Sequence, residues 1–179
     1  MRKLVFLALP IVMLACAVGC DMSAVLNSLD SLLAAQPLTQ AEEEGLLFMR
    51  EEEKLARDVY LYLDGLHDQP IFGTIADSEQ SHMDAVLTLL DRYGLEDPAA
   101  DNGLGEFADP TLQALYDQLI VQGSASLEDA LGVGVLIEET DIVDLEAHLL
   151  NVEHADVRAV YESLLQGSQN HLAAFQAQL

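Results

Sequence analysis

Basic residues are scarce in this chain: Lys and Arg number 7 against 31 Asp and Glu, a formal net charge of −24 over 179 residues. Phosphate backbones are held by Lys and Arg, so nucleic acid is a poor partner class. Trp is absent, and the two Cys, Cys16 and Cys20, both sit near the start. Nowhere does the apolar–polar alternation of a strand or a tight hairpin-turn signal occur, which argues against β architecture. The longest apolar run also falls short of the roughly 20 residues that span a bilayer. What remains is a chain that is half apolar (51%) and long enough for one domain with a substantial core. Its acidic surface is expected to keep it in solution and to attract metal cations.

The first twenty residues differ from the rest. Arg2 and Lys3 precede an apolar run from Leu4 to Val18, then Gly19-Cys20. A charged start, an apolar stretch and small residues read as a secretory signal. Ala17-Val18-Gly19-Cys20 resembles a bacterial lipobox, so residues 1–19 are expected to be removed and Cys20 lipidated. Cys16, after Leu14-Ala15, fits that role less well. With Cys20 so used, neither disulfides nor thiolate chemistry is a theme of the mature protein. The expectation is an exported protein of the cell envelope, anchored to a membrane through lipid. Residues 20–40, rich in Ser, Ala, Asn and Gln, read as a tether with a short helix over Met22–Ala35.

Helical periodicity begins after that. Thr39 is a fitting N-cap, with Glu42 and Glu43 in the first turn of a helix from about Ala41 to Gly65. Glu53 falls in the apolar series Leu46, Met49, Ala56, Tyr60 and Leu63, while Glu52 lies near a second series of Phe48, Leu55, Val59 and Tyr62. The choice between the two glutamates stays open on periodicity. Glu51 is expected to face water, and Lys54 and Arg57 to pair with the acidic neighbours of Arg50 and with Glu53 at helical spacing. A short turn leads to a second helix, Ile71 to Tyr93, ended by Gly94. Its apolar stripe of Phe72, Ile75, Ala76, Met83, Val86, Leu89 and Leu90 also contains Glu79 and His82. A carboxylate facing a core is costly unless paired, hydrogen-bonded or bound to metal.

From Glu96 to Asp109 periodicity stops, and Pro110 opens a short helix through Gln122. Ser126 caps a helix from Leu127 to about Leu150 that carries Glu138 and Asp141, with Gly132 and Gly134 suggesting close packing or room near a site. After another short turn, a last helix from Asp156 to Gln178 carries His171 in its apolar stripe. His67, His148 and His154 read as turn or surface residues, with His148 the best spare ligand. Two helical hairpins joined by a long crossover make an all-α, antiparallel four-helix bundle with a short extra helix between its second and third long helices. Glu53, Glu79, His82, Glu138, Asp141 and His171 then come from four helices at similar depth. Carboxylate oxygens with imidazole nitrogens suit iron, and also manganese or zinc.

Longer motifs sharpen this. Met49-Arg50-Glu51-Glu52-Glu53-Lys54-Leu55-Ala56-Arg57-Asp58-Val59-Tyr60, Ile75-Ala76-Asp77-Ser78-Glu79-Gln80-Ser81-His82, Leu115-Tyr116-Asp117, Ile137-Glu138-Glu139 and Gly167-Ser168-Gln169-Asn170-His171-Leu172 resemble the ferritin-like superfamily, the group of ferritins and rubrerythrins. Within it they resemble a bacterial and archaeal branch of undefined function. The resemblance spans about Ala41 to Phe175 and identifies residues 41–179 as a ferritin-like domain. It implies a dimetal centre, most simply two irons, that oxidises Fe(II) or reduces oxygen or peroxide. It also favours Glu53 over Glu52, because the first-helix ligand is commonly followed seven residues later by a Tyr, here Tyr60 as a supporting group. One departure stands out: the fourth helix has Ser168 where the pattern has a second Glu before the His. Asp141, one turn after Glu138, is the candidate replacement. The alternatives from other classes are a metal-buffering module without turnover and a metal-free helical scaffold. A free-standing monomer or homodimer fits at least as well as a storage cage.

Overall fold

The computed structural model describes Ser23 and residues 37–179, and the folded unit is Pro37–Leu179. The expected signal segment, Cys16 and Cys20 lie outside the described residues, and of the helix expected over Met22–Ala35 only Ser23, which is helical, is described. The unit is all-α, with no strand among the described residues. Its five helices are α1 (Gln40–His67), α2 (Pro70–Tyr93), α3 (Pro110–Gly123), α4 (Leu127–Leu149) and α5 (Ala155–Gln176). None is long and apolar enough to cross a membrane.

Local chemistry sets the ends. Thr39 and Glu42 form a reciprocal capping box, with Glu42 Nα–H donating to the Thr39 hydroxyl and the Thr39 amide to Glu42 Oε2 at 2.9 Å. Asp109 accepts from the amides of Thr111 and Leu112 at the start of α3, and Ser126 accepts from Asp129 at the start of α4. Gly94 ends α2 at φ +69°, a conformation that glycine adopts without penalty. Leu38 is already buried, in the apolar cluster that also holds Leu46 and Val157, and the unit begins at Pro37.

The core is split into two apolar clusters. One contains Val59, Tyr60, Leu63, Phe72, Ile75, Leu112, Leu119, Val133, Ile137 and Phe175. The other contains Leu46, Met49, Val86, Leu90, Leu145, Val157, Tyr161 and Leu164. Each long helix passes from one cluster to the other, and the order of crossing gives its direction. α1 and α5 run one way, while α2 and α4 run the other. A chain that leaves α2 must therefore travel back the length of the unit before starting α4. The crossover over residues 95–126 does this, with α3 docked on the first cluster. α1 packs along α2, α4 along α5, and the two pairs meet through α1 with α4 and α2 with α5. Gly134 lets α4 approach α5: a Cβ there would stand 2.7 Å from the Phe175 ring. Gly132, by contrast, faces open space, so nothing in the packing accounts for it.

Candidate metal centre

Between the two apolar clusters every long helix places polar residues. α1 is the extreme case, since Arg50, Glu51, Glu52, Glu53 and Lys54 are all buried. Five consecutive helical residues, at about 100° each, sweep past every side of the helix. α1 is therefore enclosed all round, by α2, by α4 and by the crossover. This overturns the expectation that Glu51 faces water. Its carboxylate accepts from the amides of Ala108 and Asp109, at 2.5 and 2.9 Å, where the crossover passes. The expected pairings along α1 are also replaced. Lys54 Nζ meets Asp58 at 2.5 Å and donates to Gly103 O at 2.7 Å, Arg57 pairs with Asp58 and Gln80, and Arg50 pairs with Asp97. Lys54 and Arg57 share Asp58 on α1 and also reach the crossover and α2, Arg50 goes to the crossover, and none pairs with Glu53.

The inward residues form a different arrangement. Glu53, Glu79 and His82 bring one ligand atom each to within 4.8 Å of the others, and so do Glu79, Glu138 and His171. Glu79 is common to both groups. Its Oε2 lies 2.7 Å from His82 Nδ1 and its Oε1 2.8 Å from His171 Nδ1. Glu53 Oε2 stands 3.1 Å from His82 Nδ1, and Glu138 Oε2 3.5 Å from His171 Nδ1. The two imidazoles stack with centroids 5.5 Å apart. Glu53 rather than Glu52 thus joins the cluster.

Glu53 Oε1, Asp141 Oδ1 and Glu52 Oε2 are buried without a hydrogen-bond partner, and Glu79 Oε1 and His171 Nδ1, though 2.8 Å apart, make no hydrogen bond to each other or to any other group. Unpartnered buried oxygens are expensive, and four buried carboxyl groups (Glu53, Glu79, Glu138, Asp141) accompany only two imidazoles. The electrostatics reflect that excess. Burial, then the Asp141 charge, hold Glu53 well above the usual carboxylate range. Burial, then Glu79, raise Glu138 to about 7, and burial with the Glu79 and Asp144 charges raises Asp141 to about 7. Glu79 goes the other way: burial would raise it, but the imidazoles of His171 and His82 bring it down to about 2. Burial would lower His82, yet Glu53 and Glu79 raise it to about 11. A divalent cation fits this donor set, since it neutralises the surplus carboxylates and satisfies the orphaned oxygens.

The remaining residues named from sequence fall nearby. Tyr60 Oη donates to Glu138 Oε1 at 2.6 Å, which leaves Oε2 turned toward His171. Asp141 belongs to neither three-atom group, and the Ser168 hydroxyl donates to its Oδ2. Ser168 thus holds the carboxylate that was expected to replace the missing Glu. Ser78 was not foreseen: its Oγ lies 2.9 Å from His171 Nε2. A serine beside Glu79 carries no distinguishing signal in one dimension. His154 corrects the view of it as a turn or surface residue. It is buried, with Nδ1 2.9 Å from Glu42 Oε2, and it closes the α4–α5 turn onto the start of α1. His148 packs against Phe48 and Tyr161, outside both groups.

Known proteins agree with this architecture without adding an activity. Residues 42–179 match the family described as "Uncharacterized protein domain (DUF2202)". The chain is similar to "Uncharacterized protein MJ0754" of Methanocaldococcus jannaschii, 48% identical over 145 residues, covering 81% of this chain and 78% of that protein. It is also similar to the crystal structure of hypothetical protein MJ0754 from Methanococcus jannaschii, with a TM-score of 0.77 at 48% identity over 78% of this chain and 80% of that one.

Proposed function

The chain belongs to the family described as "Uncharacterized protein domain (DUF2202)", and we propose that its four long helices form a ferritin-like bundle holding two metal ions, most simply iron. Glu53 with His82 would hold one ion and Glu138 with His171 the other, with Glu79 shared. The observation that carries this is the division of Glu79, whose two oxygens each face the Nδ1 of a different histidine. A single buried ion pair needs only one such contact. The direction of the helices and the long crossover support the bundle assignment. Oxygen and imidazole donors suit iron, manganese and zinc alike.

Bound iron would supply redox chemistry, two Fe(II) providing the two electrons that reduce one peroxide to water or one oxygen to peroxide. The chain's own residues prepare the place for it. The two apolar clusters close the layer above and below and keep bulk water out. Tyr60 fixes one oxygen of Glu138 so that the other is free to face the centre. Three side chains per ion leave coordination positions open for a small oxidant. A second reading, capture of metal without turnover, is favoured by one observation: Ser168 occupies Asp141, so Glu79 is the sole carboxylate shared by both groups. Consumption of oxygen or peroxide by Fe(II)-loaded protein separates the two readings, because a buffer shows none above background. An exported, lipid-anchored location is part of the proposal on the N-terminal pattern ending in Cys20.

The direct test is metal content of protein purified without chelators. Glu79→Ala combined with His82→Ala is expected to abolish binding of both ions and leave helicity intact by circular dichroism. Full metal content in that double variant would overturn the proposal.

A further inference from the structure

Each imidazole of the centre has to turn Nδ1 inward and place its other edge somewhere. His171 rests that edge on Ser78 through Nε2. His82 has a different arrangement. Its outer edge lies against Gly167 on α5, where a Cβ would stand 2.5 Å from Nε2 and 2.6 Å from Cε1. Carbon atoms do not approach an imidazole that closely. Nor has the ring room to withdraw. Its Nδ1 is committed to Glu53 at 3.1 Å and Glu79 at 2.7 Å, and the His171 ring stacks on it 5.5 Å away at 29°. Any shift large enough to admit a methyl group must therefore be taken out of the Nδ1 position itself. A glycine inside a helix is also unfavourable relative to alanine, so helix formation does not explain its presence.

We propose that Gly167 is a positioning residue of the centre: the missing side chain lets His82 lie flat against α5 with Nδ1 toward Glu53 and Glu79. The two halves of the site are thereby oriented by different means, a hydroxyl for His171 and an empty volume for His82. This rests on the two-ion reading above. Gly167→Ala should consequently impair the His82 half and spare the His171 half. Gly132, whose added Cβ would meet nothing, is the matched control on another helix.

Two measurements on the full chain decide it. In the first, Co(II) alone is titrated and its uptake followed by visible absorption. The parent protein is expected to take two ions, and Gly167→Ala to keep one at parental affinity and bind the other tenfold or more weakly. Gly132→Ala should keep both. In the second, thermal melts without metal compare Gly167→Ala in the parent and in His82→Ala. The substitution should lower Tm with the imidazole present, and leave Tm unchanged or raise it once the imidazole is gone. Two unweakened Co(II) sites in Gly167→Ala, or the same fall in Tm in both backgrounds, would overturn the assignment. If the parent takes up no Co(II), the two-ion reading fails by itself, while the melts still establish whether Gly167 sets the ring of His82.

Discussion

The two sides of α1 bury nearly the same residue types and treat them in opposite ways. Toward the crossover, every buried charge is matched. Glu51 accepts two amides, Lys54 sits between Asp58 and Gly103 O over the ring of Phe107, and Arg50 grips Asp97. Toward α2 and α4, carboxylates outnumber imidazoles and oxygens are left without partners. The difference teaches what burial of charge signifies in this molecule. Matched charges fasten an irregular segment that has few apolar residues to hold it. Unmatched charges are a cost that folding alone does not justify, and they coincide with the groups that could hold a metal ion.

Removing a carboxylate charge should therefore have opposite signs on the two sides. The largest effect is expected from Asp58→Ala, which strands Lys54 and Arg57 and frees the Gly105 amide. It should lose about 3–5 kcal/mol in urea unfolding. Wherever it still folds, it should retain its metal content. A small loss would mean that the crossover side is not the tight one.

A smaller effect is expected at the start of α1, where Glu42 extends the matched pattern. Burial raises Glu42, but the amides of His154, Thr39 and Glu153 outweigh that and take it from 4.5 to about 2. Its contribution is thus fully present above about pH 4.5 and disappears as the pH falls toward 2. Glu42→Gln should cost about 2 kcal/mol at pH 7. It should also flatten the acid limb of stability between those two pH values, as followed by Tm against pH.

On the other side the sign turns. Glu53→Gln removes a carboxylate that burial and Asp141 already disfavour, and keeps an acceptor for His82. The metal-free protein should gain about 1–2 kcal/mol while metal affinity falls tenfold or more. Equal destabilisation at Glu53 and Asp58 would erase the contrast between the two sides. The smallest effect belongs to Tyr60→Phe, which leaves Glu138 Oε1 without its donor. About 1 kcal/mol should be lost in urea unfolding, with binding weakened for the ion at Glu138 and His171 only.

Much of this was legible in one dimension. Thr39, Pro110, Ser126 and Gly94 mark helix ends through local chemistry, and the helices begin and end within a few residues of those marks. Glu79 and His82 stand out because they interrupt an apolar stripe, and His171 for the same reason, while Glu138 lies beside Ile137. Periodicity describes one buried face per helix, however, and α1 has none exposed at Arg50–Lys54. Glu51 was misplaced on that account, as were the partners of Lys54 and Arg57. Gly167 is a mid-helix glycine like Gly132, and identity alone does not separate the one whose Cβ would meet His82 from the one whose Cβ would meet nothing.

The sequence by itself determined the helices, their order and the set of inward acidic and imidazole side chains, because propensity, capping and the apolar period act over a few neighbouring residues. Tertiary structure alone decided which of those side chains meet. It drew Glu53 rather than Glu52 to His82, gave Asp141 to Ser168, and wrapped the crossover over the third side of α1. Those outcomes depend on rotation and depth between helices far apart in the chain, fixed by how the two apolar clusters pack above and below the polar layer.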